Sequence, residues 1–99
     1  MTARPFYTPA ARDDLRAIAG FIGQHSEDRA AAFVHDLREH CRRVAARPRL
    51  HRMREEFGPG VRAAVHGRYL IFYTERPDGR VVIERILHAA RDLPRLLGR

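Results

Sequence analysis

GRYLIFY, from Gly67 to Tyr73, is followed after a short polar break by VVIERILHAARDL, from Val81 to Leu93. Both stretches are dense in β-branched and aromatic residues, and Pro77-Asp78-Gly79 between them has turn chemistry, which predicts an antiparallel hairpin. Alternation is weak from Tyr69 to Tyr73, as in a central strand covered in part on both faces. Upstream, Val61 to Val65 reads as a further strand, joined through a turn at His66-Gly67. Strands at 61–65, 68–75 and 80–87 therefore form a three-stranded antiparallel meander.

Two helices are expected before that meander. Thr8-Pro9 is a helix entry, a hydroxyl cap followed by proline at the first helical position, and Arg4 to Tyr7 leads into it as a short extended segment. Leu15, Ile18, Ala19 and Ile22 then recur at helical spacing, and Gly23 closes the helix. Ser26 caps a second helix whose first turn carries Glu27 and Asp28 and whose last turns carry Arg42, Arg43 and Arg47, all suited to the helix dipole. Phe33, Val34, Leu37, Cys41, Val44 and Ala45 form its apolar stripe, and Pro48 ends it. Residues 49–60 lose the apolar rhythm and read as an irregular loop closed by Gly58-Pro59-Gly60.

The element order is β-α-α-β-β-β. It implies an α+β domain with an N-terminal strand and a helical hairpin packed on one face of a mostly antiparallel sheet, the other face being partly open. Leu15, Ile18, Ile22, Phe33, Leu37, Leu70, Phe72, Ile83 and Ile86 are the expected core. With 99 residues, one domain spanning 1–99 is expected, burying only about two-thirds of its unfolded surface. A protein partner that covers part of the remainder would stabilise it by mass action.

All 19 basic residues are arginine, and the net charge is +7. Guanidinium groups suit carboxylates and phosphates, so an acidic protein or a nucleic acid is the partner class implied. The lone Cys41 cannot form an intramolecular disulfide and lies on an apolar stripe. No cysteine and histidine spacing matches a zinc site, so no metal and no cofactor is expected. Neither a signal-peptide core nor a membrane-spanning stretch is present, and a cytoplasmic protein with no membrane partner and no small-molecule substrate is expected.

YTPAARDDL at the first helix, RRVAARPRLHRMREEFGPGVR, GRYLIFY and RILHAARDL follow one another in an order and spacing that resemble the RelE/ParE superfamily of bacterial toxins, the ParE branch most closely. The resemblance runs over nearly the whole length and implies the fold derived above. It further implies a cognate antitoxin that neutralises the protein by wrapping it. For the ParE branch the implied target is DNA gyrase; for the RelE branch the implied activity is cleavage of messenger RNA on the ribosome.

The two activities ask different things of the residues. Metal-free RNA cleavage needs a general base, a general acid and cations around the phosphate. His88 is the candidate for proton transfer, with Arg62 and Arg85 as cations, Arg68 and Arg91 as further ones, and Tyr69 and Tyr73 as stacking or proton-donating groups. A histidine ending a strand equally caps backbone groups, and this chain lacks both lysine and any tyrosine after Tyr73. A binding poison instead needs an exposed surface, for which His88, Arg91, Asp92 and Arg95 with the tail from Leu93 to Arg99 are the candidates. Glu55 and Glu56 read as solvated loop charges or partners of Arg52 or Arg54. His51 and His66 read as surface residues, and His25, His35 and His40 show no ligand spacing. No antitoxin-binding residues are assigned, beyond a helix laid along the hairpin or a strand added at a sheet edge, with acids meeting the arginines.

Overall fold

Thr8 turns the chain from strand into helix. Its side-chain oxygen accepts from Ala11 N at 3.0 Å and donates to the Glu84 carbonyl at 2.8 Å, while Thr8 N donates to the Ile83 carbonyl at 3.1 Å. One residue therefore starts a helix and fastens it to a strand more than 70 positions away. The computed structural model describes residues 4–96. Strand β1 (Phe6–Tyr7) precedes helices α1 (Pro9–Gly23) and α2 (Glu27–Ala46), two short 3₁₀ turns (Pro48–Leu50 and Glu55–Phe57), strands β2 (Arg62–His66), β3 (Tyr69–Glu75) and β4 (Val81–His88), and helix α3 (Ala89–Leu96).

The four strands lie in the order β1-β4-β3-β2. The meander β2-β3-β4 is antiparallel as expected, and β1 joins it in parallel beside β4. Gly67 has φ of 59° and no non-glycine residue among the described residues has positive φ, so the two-residue turn Gly67-Arg68 is of type II′, the form that suits strand twist. At the second hairpin Gly79 has φ of 87°, and Asp78 Oδ1 accepts from Arg80 N at 2.9 Å. The pairing of β3 with β4 slips between Phe72 and Tyr73, whose partners are Arg85 and Ile83. Glu84 is left as the extra residue of a β-bulge, which bends β4 next to Arg85.

Packing follows from the period-two pleat. Leu15 and Ile18 of α1, Leu37, Cys41 and Val44 of α2, Ile71 and Tyr73 of β3, and Ile83 and Ile86 of β4 form one buried cluster, each aliphatic side chain contributing about 1.5–3 kcal/mol. Phe72 is buried but lies outside that cluster, because the residue after Ile71 points to the other face. There Phe57 of the second 3₁₀ turn meets it edge-on at 4.9 Å. The loop thus covers part of the face that the helices leave. Ile22, Phe33 and Leu70 are only half-buried, since they stand at the margins of the layers.

The chain end differs from the expected tail. Residues from Ala89 to Leu96, read from the sequence only as the end of the last strand and a tail, form a helix with Pro94 inside it. Of the tail read from the sequence, Leu97, Gly98 and Arg99 lie outside the described residues. No helix among the described residues is long and apolar enough to cross a membrane.

Candidate target-binding site

β1 is two residues long and pairs with Val82 and Ile83, so among the described residues the outer edge of β4 beyond them has no strand beside it. Two carboxylates close that edge. Asp14 of α1 accepts from Ile86 N at 2.9 Å, and Asp92 of α3 accepts from His88 N at 2.8 Å. A buried N–H left without a partner costs about 1–3 kcal/mol, which is the reason for acids at these two places. Each carboxylate then holds an arginine. Arg85 grips Asp14 through two bonds, Nε to Oδ2 at 2.8 Å and Nη2 to Oδ1 at 2.9 Å, and Arg91 Nε donates to Asp92 Oδ1 at 3.1 Å. The Arg91 guanidinium also stands 5.8 Å from the centre of the half-exposed Phe21 ring on α1.

Between α1, β4 and α3 these residues line an open concavity of about 410 Å³, with Asp14, Ala17, Arg85, Leu87, Arg91, Asp92 and Arg95 on its walls. Burial works against the charge on Asp92, but the bonds from Arg91 and from the His88 N–H outweigh it and hold the carboxyl below its ordinary range. The same bond to Asp92 holds the Arg91 guanidinium more firmly in its charged form. Among the described residues Arg95 has no ion-pair partner, so its cation is directed to solvent at the rim.

His88 stands at the start of α3. Its Nδ1 accepts from Arg91 N at 3.1 Å while Asp92 takes the His88 N–H, a reciprocal arrangement of the capping-box kind. With Nδ1 an acceptor, the ring proton is on Nε2. The ring meets Tyr69 edge-on at 5.3 Å.

Of the sequence-derived candidates, Arg85, Arg91, Asp92 and Arg95 come together around the concavity, with His88 beside them. Arg62 does not. It pairs with Tyr73 in the sheet whereas His88 pairs with Tyr69, an offset of about 13 Å along the strands and two strands across. Arg62 instead donates to the His51 carbonyl at 2.6 Å. Tyr69 is buried beside Phe33, and Tyr73 is fully buried with its hydroxyl on the Pro48 carbonyl at 2.6 Å. Burial is the main cause that raises the Tyr73 phenol. Neither ring offers a face for stacking a base.

Asp14 is the site residue that the sequence reading missed. Its signal was position: it adjoins Leu15 and stands one helical turn from Ala11 and Ile18, at the edge of the buried stripe. His66 is a second difference. It is half-buried at the end of β2, and its Nδ1 meets Nδ1 of His40 on α2 at 2.9 Å. One ring must donate and the other accept, so at least one is neutral. Burial lowers both imidazoles below 6.5, with Arg43 adding to it in each and Asp36 opposing it at His66.

Glu56 pairs with Arg54 at 2.9 Å in the exposed loop. Burial pushes the Cys41 thiol to about 11, which makes it a packing residue and a poor nucleophile. Among the described residues no group of three or more His, Cys, Asp or Glu side chains is placed to hold a metal ion.

A family model described as the ParE toxin of the type II toxin-antitoxin system, parDE, matches residues 6–93. Toxin ParE1 of Mycobacterium tuberculosis, in strains CDC 1551 / Oshkosh and ATCC 25618 / H37Rv, is 31% identical over 98 residues, covering 98% of this chain and 100% of the relative. A solved structure described as the chromosomal ParDE TA system from P. aeruginosa superposes with a TM-score of 0.73 at 20% identity, over 88% of this chain and 96% of that one. That likeness carries the fold. With the family match running from β1 into α3, the chain belongs to the ParE toxin family of type II toxin-antitoxin systems.

Proposed function

We propose that this toxin acts by binding DNA gyrase rather than by breaking a bond itself, and that a cognate antitoxin holds it inactive. The observation that carries this reading is the grouping of Arg85, Arg91, Asp92 and Arg95 around an open concavity in which no general acid and base converge on one point. Arginine forks on a shallow surface suit carboxylates or phosphates of a macromolecule. Ribosome-dependent cleavage of messenger RNA is the other activity found in the wider superfamily. Against it stand the separation of Arg62 from His88 and the use of His88 Nδ1 as a helix cap.

Neutralisation by an antitoxin fits the same chemistry: a net charge of +7 favours an acidic partner, and small folds gain most from having a surface covered. The deciding experiment sets purified toxin against gyrase in supercoiling and cleavage-complex assays, beside an in vitro translation reaction. Gyrase inhibition that weakens about tenfold in Arg95→Glu, a loss of roughly 1.4 kcal/mol, with translation unaffected, is the expected result. Message cleavage in the translation reaction with gyrase untouched would overturn the proposal.

A further inference from the structure

The C-terminal end of α2 and the turn after it form a second surface, which shares no residue with the concavity at α3. Val44 is its floor, Ala46 and Leu50 are its walls, and Arg43, Arg47, His40 and His51 are its rim, enclosing about 430 Å³. A neighbouring concavity of about 490 Å³ shares Arg47 and Leu50 with it, so that Leu50 stands as a ridge between the two. Leu50 is 66% exposed, as much as any large apolar side chain among the described residues.

That exposure is held in place. Tyr73 Oη donates to the Pro48 carbonyl at 2.6 Å, Arg62 Nη1 donates to the His51 carbonyl at 2.6 Å, and Leu50 N donates to the Arg47 carbonyl at 3.2 Å. Three hydrogen bonds, two of them from β2 and β3, fix the turn with its leucine in water. A fixed apolar ridge needs little ordering when a partner covers it, which favours binding.

The rim says what kind of partner. No carboxylate lines the first concavity, and among the described residues Arg43 and Arg47 have no ion-pair partner. Cations also suit the end of a helix, but that role calls for no exposed leucine between them. A nucleic acid would meet the cations and waste the apolar floor. A second copy of the chain would bring +7 against a positive rim. We infer that the groove at Leu50 docks an acidic peptide segment of a protein partner, an apolar side chain resting against Leu50 and Val44 and its carboxylates meeting Arg43 and Arg47. The inference does not depend on gyrase being the target.

The test is selection of a random displayed peptide library on the purified full chain, followed by titration of the enriched peptide, labelled and synthesised, against variants. Enriched sequences are expected to place Asp or Glu beside Leu, Phe or Met. Their affinity should fall about tenfold in Leu50→Ser, the worth of one apolar contact, and severalfold in Arg43→Glu or Arg47→Glu, growing weaker with salt. Arg16→Glu on α1 should change nothing. Leu50 is exposed, so its variant should keep the wild-type circular dichroism. Perturbation of the Val44 and Leu50 amides by the peptide in the unmutated chain checks the location with no variant at all. Failure to enrich any sequence, enrichment without acidic residues, indifference to Leu50→Ser, or displacement of the peptide by a single-stranded oligonucleotide would each overturn the inference.

Discussion

The two halves of β4's outer edge are closed by different chemistry. At Val82 and Ile83 the neighbour is backbone, the short parallel strand β1, reinforced by Thr8. At Ile86 and His88 the neighbours are the carboxylates of Asp14 and Asp92. Backbone closure carries no charge and leaves no further valence. Carboxylate closure attracts cations, and Arg85 and Arg91 are the result. The same structural need, satisfying a sheet edge without exposing it to pairing, thus yields a plain border in one half and a charged concavity in the other.

Asp14→Ala is the sharpest break of that contrast. It leaves the Ile86 N–H and the Arg85 guanidinium without their acceptor, and unfolding by urea should show a loss of about 2–3 kcal/mol. Asp14→Asn keeps a neutral acceptor and should lose about half as much; equal losses would show that Ile86 N is satisfied in some other way. In the backbone-closed half, Thr8→Ala removes the helix cap and the bond to the Glu84 carbonyl together, for about 1–2 kcal/mol by the same measurement.

Acidity separates the borders further. At the sheet's other edge His40 and His66 have folded pKa values below 6.5. The unfolded chain therefore binds protons first, so their contribution is complete above about pH 6.5 and shrinks as pH falls through that value towards the lowered one. Urea midpoints compared at neutral and mildly acid pH should show this slope, and it should flatten in His66→Gln. Asp92 is likewise depressed below 3.8. Its contribution is present above that value and is lost as pH falls through the folded one, so the carboxylate-closed half of β4 should open in acid before the Val82 and Ile83 half. Amide exchange at His88 and Ile83 compares the two, and simultaneous opening would sink the distinction. The smallest effect is expected at Arg16, whose pair with Asp13 is exposed on both sides. Arg16→Ala should cost no more than about 0.5 kcal/mol.

Much of this molecule was legible as pattern. Thr8-Pro9 and Ser26 fixed where the helices start, the glycines at 67 and 79 where the strands turn, and the apolar stripes which faces meet. These are local or periodic signals, set by dihedral preference and side-chain spacing. Arg91, Asp92 and Arg95 could be grouped as candidates from the sequence because they lie close together in the chain, near the end of a strand, and they line one concavity in the structure. Asp14 was not, since its partners Arg85 and Ile86 are more than 70 residues away. The His40 and His66 contact was hidden for the same reason, and helix α3 because it is short and its cap spans a strand end and a helix start.

What the amino-acid order determined by itself was the succession of elements from β1 to β4, their buried sides and the strong positive charge, all consequences of short-range preference and composition. The tertiary structure alone decided that β1 stops after two residues. That stop leaves the rest of the β4 edge to side chains, because buried N–H groups must find acceptors wherever the fold places them. The choice of acids as those acceptors is what gathers the arginines into one surface.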